Sequence, residues 1–130
     1  MSMQMNAKSL SAAVTLSLGL ATGVLADTAL VMVEQDGCIY CRRWHAEVGE
    51  IYPVTEFAIR APLRIVDLHD MPEDLSLTSR VVFTPTFLLV EDGQEIARAE
   101  GYTGDEIFWM QMELLARRLP DAPPDETPTE

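Results

Sequence analysis

The sequence predicts an α/β domain: a small mixed central sheet flanked by helices on both faces. Three observations carry that prediction. Two short, wholly apolar runs, Leu30-Val31-Met32-Val33 and Phe87-Leu88-Leu89-Val90, have the length and composition of buried strands. Between them the apolar spacing changes to intervals of three and four, the period of a helix. After the second run, Asp92-Gly93 supplies hairpin-turn chemistry and Gln94 to Ala99 returns as the partner strand.

The first strand breaks at Gln35-Asp36-Gly37. From Cys38 onward, Cys41, Trp44, Val48 and Ile51 form one core-facing helical stripe. Gly49 weakens that helix, and Pro53 ends or kinks it. A second helical stretch is expected around Thr55 to Arg60. Leu63 to Asp67 alternates as a strand, and His69 to Arg80, with Pro72 and several acids, reads as a loop or short helix. In the last helix, Thr103 and Glu106 form a capping box, each able to satisfy a free amide at the helix start. Phe108, Met112, Leu115 and Leu119 line one face of it. Arg117 and Arg118 stand where the dipole favours cations, and Pro120 stops the helix. A strand on each side of a crossover helix implies a parallel pair, and the hairpin adds antiparallel strands.

With 130 residues, 48% hydrophobic and 23% charged, the chain suits one globular domain. Its net charge of −12 would repel a polyphosphate, which excludes nucleic acid as a partner. Lys8 precedes a mostly apolar run from Leu10 to Leu25, and Val24-Leu25-Ala26 has the small and apolar residues of a cleavage site before Asp27. Residues 1–26 are therefore expected to be a secretory signal peptide, since the run is shorter than the roughly 20 residues that span a membrane. Residues 120–130 hold four prolines, four acids and no large apolar side chain, so an acidic, disordered tail is expected there. The domain is left as residues 27–119.

Cys38-Ile39-Tyr40-Cys41 lies where strand gives way to helix. Separation by two residues in a first helical turn puts both sulfurs on one side, within bonding reach. Cys38 sits beside unpaired backbone amides at the positive end of the dipole, which favour thiolate over thiol. Cys41 is one turn in, on the stripe that faces the core. That asymmetry suits thiol–disulfide exchange: Cys38 attacks a partner's disulfide, and Cys41 displaces the reduced partner. A structural staple is the weaker reading, because so short a loop constrains the unfolded chain little. Thr84-Pro85-Thr86 enters a buried strand, where proline lacks a donor. A cis Thr84–Pro85 bond would leave the Thr84 backbone free to pair with an extended substrate.

Gly37-Cys38-Ile39-Tyr40-Cys41, Phe83-Thr84-Pro85-Thr86-Phe87, Glu91-Asp92-Gly93 and Gly101-Tyr102 occur in the order found in thioredoxin-fold proteins. The chain resembles that superfamily over roughly residues 28–119, and within it is most similar to the periplasmic thioredoxins associated with bacterial sulfur oxidation (the SoxS type). The resemblance implies a monomeric periplasmic reductase that needs no dissociable cofactor or metal. It also implies two partners: a protein disulfide substrate such as a sulfur-oxidation carrier protein, and a membrane electron donor of the thiol-transporter type. The match has departures. Thioredoxins typically have Trp-Cys-Gly-Pro-Cys, whereas here Gly37 precedes the motif, Ile39-Tyr40 fill it, and Tyr40 is similar to the glutaredoxin pattern. Met32 stands where thioredoxins carry a buried aspartate. Glu34 shares a strand face with Met32.

Two other readings compete. Cys38, Cys41 and His45 suggest a copper or zinc carrier, although Cys38 and His45 lie about 10.5 Å apart along an ideal helix axis. An oxidase of exported protein thiols is the other, and the inner pair lacks the histidine of strongly oxidising family members. Arg42 and Arg43 offer positive potential near Cys38. Trp44 reads as packing, and His69 receives no role.

Overall fold

The two wholly apolar runs become the two inner strands of the sheet. Residues 26–119 are described by a computed structural model. The expected signal peptide and acidic tail lie outside those residues, Ala26 excepted. Strands β1 (Thr28–Glu34), β2 (Leu63–Asp67), β3 (Thr86–Glu91) and β4 (Gln94–Glu100) lie in the order β2-β1-β3-β4. β1 runs parallel to β2 and antiparallel to β3, and β3 runs antiparallel to β4. An inner strand is covered on both faces, so β1 and β3 read as unbroken apolar runs, while the edges β2 and β4 mix buried and exposed positions. Asp92 and Gly93 both have positive φ, 50° and 78°, the geometry of a tight hairpin turn. A Cβ on Gly93 would lie 2.3 Å from the Asp74 carbonyl oxygen, so the turn needs glycine for space as well as for φ.

The connection from β1 to β2 holds α1 (Ile39–Glu47), a 3-10 turn (Tyr52–Val54) and α2 (Glu56–Arg60), capped by the Thr55 hydroxyl. Helix α3 (Asp105–Ala116) follows β4. Leu30, Met32, Phe87 and Leu89 from one sheet face pack with Trp44, Val48, Ala58, Phe108, Met112 and Leu115 in a single cluster. Fully burying a side chain of this size contributes about 1.5–3 kcal/mol, so this face holds most of the core.

Three expectations need correction. Among the described residues the helices all pack on that one face. The other face (Val31, Val33, Leu88 and Val90) is covered by Leu68, Met71, Leu75 and Leu77 of an irregular loop. The helical stripe fails at Ile51, which is half exposed. Helix α1 ends at Glu47, the chain tightens into the 3-10 turn, and the buried position passes to Tyr52, whose hydroxyl donates to the Ala61 carbonyl (2.6 Å). The Thr103–Glu106 capping box does not form. Gly104, at φ 143°, is the N-cap, so α3 starts one residue later than the box requires and Glu106 falls one position short of its partner. Asp105 and Glu106 still place negative charge in the first turn. Arg117 and Arg118 lie just beyond the last turn.

The long loop is tied to β4 by a charged staple. Arg98 donates twice to the nearly fully buried Glu95 carboxylate (2.5 and 2.8 Å) and once to the Ser79 carbonyl (2.8 Å), and Glu95 accepts from the Thr78 N–H (2.9 Å). Burial alone would raise the Glu95 carboxyl. Arg98 and Thr78 outweigh it and hold the group below its ordinary value. A depressed carboxylate contributes stability that is complete above its unfolded pKa, near 4.5. That stability is lost as pH falls through the folded value. Arg98→Met would strand the carboxylate, at a cost of about 2 kcal/mol at pH 7. The deficit should narrow toward about pH 4, where Glu95 in the variant can protonate; urea midpoints across that range check it. A constant deficit would mean that Arg98 acts only by packing.

Candidate active site

The β1–α1 junction builds the centre. After Glu34, Gln35-Asp36-Gly37 turns the chain, with Gly37 at φ 76° and the Cys38 N–H donating to the Gln35 carbonyl (3.3 Å). That turn delivers Cys38 as the N-cap of α1, where its Sγ accepts the Cys41 N–H (3.1 Å). The two sulfurs are joined as a disulfide. Cys38 is half-buried, whereas Cys41 is 3% exposed and packs in the main core. When the bond is reduced, the amide that now meets Cys38 Sγ, together with the helix start behind it, favours negative charge on that sulfur.

The loop before β3 supplies the opposing edge. The Thr84–Pro85 peptide is cis, Pro85 is buried, and its carbonyl accepts the Gly101 N–H (2.8 Å). The Thr84 carbonyl oxygen lies 3.5 Å from Cys38 Sγ, a contact that becomes an S–H···O bond only in the thiol. Beside it a groove of about 410 Å³ runs between Tyr40, Phe83, Thr84, Gly101 and Tyr102. Around the disulfide, Ile39, Tyr40, Val82 and Phe83 are each more than half exposed (62%, 55%, 66% and 60%), an apolar rim on a strongly acidic protein.

One wall of the groove is locked to α1. The Tyr102 hydroxyl donates to Glu47 (2.5 Å), which also accepts from Arg43 Nε (2.8 Å), and the Arg43 guanidinium lies 5.8 Å from the Tyr102 ring centre. Burial, and then the Glu47 carboxylate, raise the Tyr102 phenol, so it remains a donor at neutral pH. Tyr102 and Arg43 in turn hold Glu47 below its usual range. Arg43 is thus engaged with Glu47 and Tyr102, and Arg42 is exposed.

The sequence-selected cysteines and Thr84-Pro85 come together; the third member of the metal reading does not join them. His45 Nε2 meets Glu34 Oε2 (2.7 Å) and its ring meets Trp44 edge-on. Among the described residues no three His, Cys, Asp or Glu side chains gather to hold a metal. Glu34 accordingly reaches His45, and Met32 is wholly buried in the core. Gln35 was legible only as a strand breaker, yet its Nε2 donates to Thr84 Oγ1 (2.8 Å) and its Oε1 faces His69 Nε2 (3.2 Å). Its partners lie 49 and 34 positions away, beyond the reach of any local pattern.

Residues 24–116 match the family described as the thioredoxin-like domain. The periplasmic thioredoxin SoxS from Paracoccus pantotrophus, crystallised in its reduced form, is 40% identical to this chain with a TM-score of 0.68. The match covers 71% of this chain and 98% of that one. A comparison with curated proteins gave no match.

Proposed function

This chain belongs to the thioredoxin-like family and is a thiol–disulfide oxidoreductase, and from that premise we propose that it works as a periplasmic reductase of a partner protein's disulfide. The observation that carries the reading is the unequal pair at the start of α1: a half-buried Cys38 under the Cys41 N–H, and a Cys41 sealed in the core. Cys38, as thiolate, attacks one sulfur of the substrate disulfide, forming a mixed disulfide and expelling the other as a thiolate. Cys41, deprotonated, then attacks Cys38 Sγ, closes the 38–41 disulfide and releases the second substrate sulfur. Two electrons pass to the substrate and the released thiolates take up protons. Thr84-Pro85 is the docking edge, and an extended substrate segment lies in the groove beside Tyr40 and Phe83.

The similar periplasmic thioredoxin SoxS supports the location. A sulfur-oxidation carrier protein as substrate, and a membrane electron donor of the thiol-transporter type that returns the pair to the dithiol, rest on the family resemblance of the sequence motifs. Equilibration of the pair with glutathione or dithiothreitol buffers tests the direction. A reduction potential of about −200 mV or lower is expected for a reductase; a value near about −120 mV would make the protein an oxidase of exported thiols.

A further inference from the structure

We infer that Gln35 is a positioning residue that fixes the docking edge at Thr84 against the reactive sulfur of Cys38, with His69 holding its amide in place. The inference rests on the reading of Cys38 and Thr84 given above. Three contacts close a ring. The Gln35 carbonyl accepts from the Cys38 N–H (3.3 Å), Gln35 Nε2 donates to Thr84 Oγ1 (2.8 Å), and Thr84 O lies 3.5 Å from Cys38 Sγ. One residue therefore grips the cysteine through its backbone and the docking strand through its side chain. The geometry of attack depends on just that separation, since small misplacements of a bound partner are costly in rate.

His69 decides which way the amide points. Gln35 Oε1 only accepts, so the proton in that contact belongs to His69 Nε2, which leaves the amide N–H groups for Thr84. Gln35 thus joins the turn before α1 to the start of the loop after β2, at His69, and to the end of that loop before β3, at Thr84. His69 belongs to the loop that covers the second sheet face, so the bracket also ties that loop to the site.

The test compares Gln35→Leu, Thr84→Val and the double variant in insulin reduction driven by dithiothreitol, with Thr84→Ser as the conservative control. Each single variant should lose about tenfold in kcat/KM, mostly through KM, as for one lost hydrogen bond. The double variant should fall no further, because both changes break the same bond. Thr84→Ser should stay within about twofold of the parent. In every variant the alkylation rate of reduced Cys38 should be unchanged, since the backbone bond to Gln35 and the Cys41 N–H remain. Additive losses, an unaffected KM, or a matching fall in alkylation would overturn the inference. If the parent oxidises thiols rather than reducing disulfides, the reductase reading fails alone, and the same KM comparison on a reduced protein substrate decides the bracket.

Discussion

Replacing Cys38 by serine should lower disulfide reduction on the order of a thousandfold, to the rate of the uncatalysed exchange, with the fold intact. A serine hydroxyl cannot form the mixed disulfide, and Cys41, at 3% exposure, cannot reach a substrate in its place. Cys41→Ser should behave differently. The Cys38 sulfur keeps its place as N-cap, so the first attack survives, but nothing displaces the substrate and a mixed disulfide accumulates. Non-reducing gels and mass spectrometry would show a one-to-one adduct that dithiothreitol removes. In the reduced parent, iodoacetamide should label Cys38 well before Cys41. Equal activity in Cys38→Ser, or Cys41 labelled first, would reverse the assignment of the two sulfurs.

The way these residues were legible follows from the range of the forces involved. The cysteine pair, the proline before β3 and the Asp92-Gly93 turn are local signals, each readable within a few residues because backbone geometry is local. Strands β1 and β3 were legible because inner strands leave continuous apolar runs. The misses share a different cause. Ile51 continues a helical period that the chain itself abandons, because a 3-10 turn advances the buried position to Tyr52. Thr103 and Glu106 have capping-box spacing, yet Gly104 takes the cap and shifts the register. The loop over the second face is set by ties to the strands, Arg98 to Ser79, Glu95 to Thr78, and Arg64 to Asp74 (2.7 and 2.9 Å), which no period records. Gln35 is the same case at the site itself: a polar residue whose side-chain partners, Thr84 and His69, are brought to it only by tertiary folding.

Phe108→Ala should be the most damaging core change outside the cysteines. The ring is 1% exposed and meets five others: Phe87 at 5.0 Å, Trp44 at 5.7 Å, Tyr102 at 6.3 Å, Tyr52 at 6.5 Å and Trp109 at 5.0 Å between centroids. Those partners come from β3, α1, the groove wall, the 3-10 turn and α3 itself, so the cavity cannot close by moving one neighbour. A phenylalanine truncation of this kind costs about 3–5 kcal/mol. For a domain of this size that corresponds to a drop in Tm of roughly 15–30 °C, visible by calorimetry on the oxidised protein. Ile107→Ala, one residue away and 43% exposed, should stay within about 0.5 kcal/mol, which separates loss of packing from loss of helix. The consequence reaches the chemistry because Trp44 lies on α1 one turn beyond Cys41, with Phe108 against its ring. Phe108→Leu, expected to cost about 1.5 kcal/mol, should therefore keep α1 seated and turnover near the parent's, while Phe108→Ala loses activity in step with its folded fraction. Activity lost in Phe108→Leu at full folding would mean that the ring steers α1 directly, beyond its share in holding the core together.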